Sequence, residues 1–402
     1  MHKTRFLILG AGPAGLTFAN RLLDAGITDF LVLEKETEAG GLCRDTIVDG
    51  APLDVGGGHF LDVRNETVDD YLFRFMPREE WDLFERDSRI RFAGQEIFHP
   101  FEANIWQLPQ DMQQAYLDSI AAAGCNTGEP MPEKFIDWIT WKLGERIAAD
   151  YMLPYNRKMF ADDLDMLGTY WLDKLPNVSF EDTLRSCREK HAYGKQPGHA
   201  QFFYPKKYGY GELWRRMAAR LGDRILYETP VESFDIRERT VRSGADVFCA
   251  DCVVTTVPWT SVGELAGFSS ETAAALPRLR HSSVEIRYAP DDLHTKAHWI
   301  YFPDDAIPYH RILVRSNFCA GSRGYWMETR SERVRYTNDN PHFMNDYAYP
   351  LNTIDKPGVM QNILRETHES GVYPLGRWGE HMHYNSDVTV DRAMRLAQEL
   401  LR

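Results

Sequence analysis

The chain is poor in cysteine, with six in 402 residues at irregular spacings. That excludes a small scaffold stapled by disulfides. Cys249-Ala-Asp-Cys252 is a close pair, but no second pair and no histidine pair accompanies it. A structural zinc site needs four such ligands, so no metal is expected. Cys252 instead opens the apolar run to Val257, which reads as a buried strand with a structural thiol. Long hydrophobic runs are also missing. No apolar stretch approaches the roughly 18 residues that span a bilayer, mean hydropathy is −0.44, and no membrane partner is expected. Basic charge is short: 46 Lys and Arg stand against 59 Asp and Glu, a net charge of −13. Nucleic-acid binding needs a basic surplus, so that class is excluded. An anionic ligand would require a local basic pocket working against the overall field. Three polar residues follow Met1 before the first apolar run; no leader is expected, and a cytoplasmic location follows as the default. Internal repeats and low-complexity tracts are lacking too.

The sequence is ordinary for a chain that buries a real core, with 43% hydrophobic and 26% charged residues. Its first 60 residues are the most legible. Arg5 to Leu9 is a short apolar run, as in a buried parallel strand. Gly10-Ala-Gly12-Pro-Ala-Gly15 follows at once, then a helical spacing from Leu16 to Ala25 that stops at Gly26. Asp29 to Glu34 is a second strand, completing a βαβ unit. In that context Gly10, Gly12 and Gly15 serve a tight turn, close approach of a pyrophosphate to a helix N-terminus, and close helix–strand packing. Glu34 ends the second strand 19 residues after Gly15, where it can accept from ribose hydroxyls. Residues 66 to 90 are mixed, charged and read as helical. Met112 to Ala123 and Pro132 to Met152 are helical, and Gly211 to Leu221 is an amphipathic helix. Ile225 to Ile236 and Val247 to Val257 are strand-rich. Residues 283 to 330 alternate apolar and polar, which favours an antiparallel sheet with one wet face. Asp391 to Leu401 is a closing helix. The order suggests a nucleotide-binding domain interrupted by two insertions.

A second glycine turn, Gly40-Gly41-Leu-Cys43-Arg44, follows the acidic strand end, and Gly56-Gly57-Gly58-His59 comes soon after. This is unlike a plain NAD dehydrogenase. It resembles the FAD enzymes of the glutathione-reductase type, in the branch of amine oxidases, protoporphyrinogen oxidases, GDP dissociation inhibitors and UDP-galactopyranose mutases. The resemblance implies FAD, with Gly40, Gly41 and Arg44 at its diphosphate and the Thr229-Pro-Val231 strand at its adenine. The implied fold is α/β: a discontinuous Rossmann-like FAD-binding domain over 1–95, 200–275 and 352–402, a helical insertion over 100–195, and an antiparallel sheet domain on the substrate side over 276–351.

Within that branch the ordered set of motifs looks most like the UDP-galactopyranose mutases. His59 matches their loop histidine beside the flavin, with Gly57 in the same turn. Tyr151 and the Pro-Tyr155-Asn156 stretch resemble a nucleotide-lining helix. Trp299-Ile-Tyr301 through Arg311 resembles a segment with a substrate tyrosine and a diphosphate arginine. Tyr347-Ala-Tyr349-Pro350 supplies another tyrosine of that kind, and Gly376-Arg377 with Asp387-Val388 resembles the closing turn at the flavin. The implied reaction interconverts pyranose and furanose forms of a nucleotide sugar: N5 of the reduced flavin attacks the anomeric carbon and a covalent flavin–sugar adduct forms. Catalytic roles then fall to His59, Tyr301, Arg311 and Tyr349. The substrate would meet Tyr151, Tyr155, Asn156, His383 and Tyr384 as well. An external reductant would keep the flavin reduced; no second dinucleotide fingerprint indicates which. Oligomeric state is not legible.

Two features depart from the mutase pattern. No arginine matches the second diphosphate arginine after the helical lid; Lys174 offers a point charge, as does Arg157 by another route, but not from the same place. His383, with Tyr384 beside it, stands where those enzymes carry a substrate tyrosine. Plainer readings also stand: His59 as a bridge of its own loop, Arg311 paired with Asp304 or Asp305, Tyr151 as core, and Pro154-Tyr155-Asn156 as a simple helix break. The competing functions are an FAD oxidase or dehydrogenase of the amine oxidase or protoporphyrinogen oxidase type, and a non-catalytic binding protein like the GDP dissociation inhibitors.

Overall fold

The computed structural model describes residues 1–62, 65–172, 175–195 and 200–401. Lys174 lies outside the described residues. The first strand, His2–Leu9, runs parallel between Phe30–Leu33 and Asp246–Thr255. Leu7, Ile8 and Leu9 are fully buried, as an unbroken apolar run requires when helices or loops cover both faces of a parallel sheet. Ile225–Leu226 continues the parallel edge beside Phe30–Leu33, and Val372–Pro374 returns from late in the chain to pair with Asp246–Thr255. Short strands Ser233–Asp235, Thr240–Ser243 and Glu264–Ala266 extend the other side. Cys249 and Cys252 lie on Asp246–Thr255. Helix Pro13–Asp24 packs against Gly211–Ala219 and against the closing helix Ser386–Leu400. Three stretches distant in sequence therefore build one layer.

A second sheet runs in the order His342–Pro350, His281–Ala289, Tyr325–Arg330, Arg311–Leu313, Trp299–Tyr301, Ser88–Phe92 and Gln95–Phe98. It is antiparallel except where Trp299–Tyr301 meets Ser88–Phe92. The expectation of one wet face fails at its centre. His281–Ala289 and Tyr325–Arg330 are buried almost throughout, and alternation survives toward the sheet's edges, on His342–Pro350 and Ser88–Phe92. Helix Leu153–Met159 packs on Tyr325–Arg330, and the Gly57-Gly58 turn presses on Ile286, Leu313 and Glu328.

Residues 66 to 90 are not helical throughout. Glu66–Phe73 is a helix capped by the Asn65 side chain, but Trp81–Glu85 pairs with Gln201–Pro205 and Ser88–Phe92 joins the second sheet. The charges in this stretch pair along and across strands instead: Arg89 meets Asp87, two residues before it, at 2.7 Å and Glu96 on the neighbouring strand at 3.2 Å. The helical segment holds Gln110–Ala121 and Phe135–Ile147. A wide π-type turn, Ala148–Met152, leads into Leu153–Met159, with Pro154 in its first turn. Pro154 does not break this helix, because a proline in a first turn removes no needed donor. No described helix is long and apolar enough to cross a membrane.

Candidate active site

The chain leaves strand His2–Leu9 through Gly10, whose φ of +98° suits glycine, and enters helix Pro13–Asp24. A Cβ on Gly15 would stand 2.0 Å from the Gly10 carbonyl oxygen, so the helix reaches the turn only without a side chain there. Gly12 caps the helix and contributes no side-chain bond, which leaves backbone N–H groups facing outward. Gly41 lies directly against Gly12; a Cβ on it would be 3.3 Å from the Gly12 α carbon. Gly40 N donates to Ala11 O at 2.8 Å and locks the two turns together.

These turns form one wall of a groove of about 600 Å³. Gly10, Gly12, Glu34, Gly41, Arg44, His59, Val231, Arg377 and Tyr384 line it. Glu34 is 6% exposed. Burial pushes its carboxyl above the ordinary range, against the pull of the Ala11 and Glu36 N–H groups at 2.7 and 3.0 Å. A carboxylate bonded once at each oxygen keeps capacity for ribose hydroxyls. Arg44 is aimed by its Nε bond to Gly41 O at 3.0 Å and its contact with Glu36 at 3.3 Å. Gly15, Gly40, Gly376, Asp387 and Val388 do not line the groove. Gly376 packs so closely that a Cβ would stand 2.7 Å from the Ala14 Cβ. Ser386 and Thr389, neighbours of Asp387 and Val388, line the groove instead.

A cavity of about 160 Å³ adjoins the groove and shares His59, Arg377 and Ser386 with it. Gly57, Arg311, Tyr349 and His383 also line the cavity. Two charged lining residues, Arg86 and Glu328, belong to no motif in the sequence. Glu328 is fully buried. Its Oε2 accepts from Arg311 Nε at 3.1 Å and from Tyr349 OH at 3.3 Å, and its Oε1 accepts from Gly58 N at 3.2 Å. Burial alone would raise its pKa; Arg311 and His310 outweigh that and hold it at about 2. Arg311 thus pairs with Glu328, not with Asp304 or Asp305, and its Nη2 reaches Tyr349 OH at 3.3 Å. Arg377 gives Nε and Nη2 to Tyr384 O at 3.0 and 2.8 Å, and Nη1 to Ala348 O at 3.2 Å. His59 bridges its own turn, with Nδ1 2.9 Å from Gly57 O. A carbonyl only accepts, so the hydrogen-bond network assigns the proton to Nδ1 and leaves Nε2 as an acceptor. Burial and then Arg377 lower its pKa to about 4.

Tyr301 pairs in register with Arg311 and accepts from Arg86 Nη2 at 2.8 Å. It stands behind the lining, 5.5 Å edge-to-face from Tyr155. Tyr151 is core: 3% exposed and stacked between Phe101 and Tyr155 at 5.6 and 5.8 Å. Asn156 is turned inward and donates to Met152 O at 2.7 Å, fastening the π-type turn. Tyr151, Tyr155 and Asn156 therefore lie outside the cavity lining, while Met159 of the same helix reaches it. The His383 ring lies 4.9 Å from Tyr349.

Residues 13–284 match the model of the flavin containing amine oxidoreductase family. A Baeyer-Villiger monooxygenase of Streptomyces coelicolor is 37% identical over 95 residues, which cover 24% of this chain and 15% of that protein. Among solved structures, reduced UDP-galactopyranose mutase superposes with a TM-score of 0.89 at 22% identity, covering 99% of this chain and 95% of the other. Cyclohexylamine oxidase from Brevibacterium oxydans superposes with a TM-score of 0.67 at 15% identity, covering 99% and 100%. Identities this low establish a shared fold. The groove fits a flavin dinucleotide on its own terms: a bare helix N-terminus, a first glycine turn with no room for a Cβ at Gly10 or Gly15, a second whose Gly40 and Gly41 take positive φ, a buried acid at a strand end, and arginines at 44 and 377. The chain belongs to the flavin containing amine oxidoreductase family, and FAD is its cofactor.

Proposed function

We propose that this protein is a flavin-dependent nucleotide-sugar mutase, interconverting pyranose and furanose rings in the manner of UDP-galactopyranose mutase. The observation that carries the reading is the charge of the cavity beside the flavin groove. Arg86, Arg311 and Arg377 line it, with Glu328 as the one carboxylate among its described lining residues. Such a wall suits an anion and repels an ammonium group. The fold shared with a reduced UDP-galactopyranose mutase agrees with this.

Reduced FAD, when bound, supplies an electron-rich atom for attack at the anomeric carbon, so no side-chain nucleophile is required. This chain's residues then hold what departs. Arg311 donates to the diphosphate, Tyr349 turns its single hydroxyl proton from Glu328 to it as the ligand arrives, and Glu328 keeps the Arg311 guanidinium in position. His59, uncharged at neutral pH, offers Nε2 as an acceptor to a sugar hydroxyl without adding charge. Arg377 closes the junction of groove and cavity and stays fixed through main-chain carbonyls. An external reductant loads the flavin.

An oxidase of the amine oxidase type is the alternative, and cyclohexylamine oxidase shares the fold. A ligand titration of the reduced holoprotein separates the two. UDP is expected to perturb the flavin spectrum and raise the melting temperature, while cyclohexylamine leaves both unchanged. The opposite pattern contradicts the mutase reading.

A further inference from the structure

We infer that Arg86 is a second ligand-binding guanidinium of the cavity, fixed by the protein before an anionic ligand arrives; this rests on the nucleotide-diphosphate reading above. Arg86 stands in the short connection between Trp81–Glu85 and Ser88–Phe92, two strands that belong to different sheets. Its backbone is pinned there by a bond from Arg86 N to Ala200 O at 2.9 Å. Its side chain is pinned as well. Nε donates to Ser88 Oγ at 2.6 Å, Nη2 donates to Tyr301 OH at 2.8 Å, and the guanidinium lies over the Trp299 ring at 4.7 Å.

Tyr301 is also the cross-strand neighbour of Arg311. Both arginines therefore line one cavity and both neighbour the same tyrosine. The charge of the site calls for such a partner. Glu328 neutralises Arg311, and Arg377 gives donors to the carbonyls of Tyr384 and Ala348. A diphosphate diester carries two negative charges, and Arg86 adds cationic charge to the wall. A stacked, bonded arginine gives up little rotamer freedom on binding, which favours it over a mobile lysine. The grip thus sits in the sheet region.

Uridine, UMP and UDP titrated calorimetrically into the wild-type holoprotein, Arg86→Ala and Arg86→Lys test this. Arg86→Ala is expected to weaken UDP by roughly 10- to 100-fold while uridine changes by no more than about twofold. Arg86→Lys should recover part of the UDP loss, because it keeps the charge and loses the fork. Equal losses for uridine and UDP, or a UDP preference that survives Arg86→Ala, overturn this proposal alone. A wild-type protein that binds UDP no better than uridine overturns the nucleotide-diphosphate reading, and this proposal with it. Should Arg86→Ala fail to fold, Tyr301→Phe removes one anchor and leaves the arginine; UDP affinity unchanged in both Tyr301→Phe and Arg86→Lys overturns the proposal.

Discussion

The cofactor groove and the ligand cavity meet at His59, Arg377 and Ser386, yet they are made of different material. The groove's phosphate end is backbone: a helix N-terminus and two glycine turns, all within residues 10 to 44. The cavity is side chains, delivered by a turn at 56–60, a strand connection at Arg86, five strands of the second sheet and the turn before the last helix. Backbone recognition depends on what is missing at a few positions. Side-chain recognition depends on charges that must each be held by another group. The groove should therefore fail by steric intrusion, and the cavity by loss of a counter-charge.

The sharpest way to break that contrast is Glu328→Ala. It leaves Arg311, 17% exposed in the cavity wall, without its carboxylate, and losing one partner of a pair whose acid is buried costs about 2–3 kcal/mol once that exposure is discounted. Chemical denaturation measures it, and the folded fraction should keep its flavin colour. Gly15→Ala acts on the other side. Its methyl would stand 2.0 Å from the Gly10 carbonyl oxygen, an overpacking cost of about 3 kcal/mol, and purified protein should lose visible flavin absorbance.

A pH series sharpens the comparison next. His99 packs 5.0 Å from Tyr301 behind the cavity, and burial, then Arg86, lower its pKa from 6.5 to about 3. A depressed folded pKa gives stability that is whole above 6.5 and is lost as pH falls toward 3. At about pH 4.5 the loss is roughly 2–3 kcal/mol, so His99→Phe should flatten the fall in stability between 6.5 and that point. The smallest effect is expected from Tyr349→Phe. It removes the hydroxyl between Arg311 and Glu328 and should weaken UDP binding by about 1 kcal/mol with flavin content unchanged.

The same contrast governs what the sequence makes legible. Gly10, Gly12, Gly15, Glu34, Gly41 and Arg44 sit in one βαβ unit and the turn that follows it, where a missing side chain is itself the signal. Arg311, Tyr349 and His383 could be named only through a resemblance, because their spacing carries no pattern. Arg86 was hidden by reading residues 66 to 90 as helix, since alternate charges on a short strand look like a charged helix face. Glu328 gave a fainter signal: a lone acid inside Trp326-Met-Glu-Thr-Arg330, on a strand that turns out to be buried. The covered faces of the second sheet come from helix Leu153–Met159 and the Gly57-Gly58 turn, contacts across more than a hundred residues that local alternation does not record.

The most direct test is turnover of a nucleotide sugar by dithionite-reduced protein, with oxygen consumption followed in an aerobic parallel and ring forms resolved chromatographically. This account predicts interconversion of pyranose and furanose with no stoichiometric oxygen uptake, and none at all from the oxidised protein. Steady oxygen consumption with peroxide release from an amine, and no change of ring form, would contradict it.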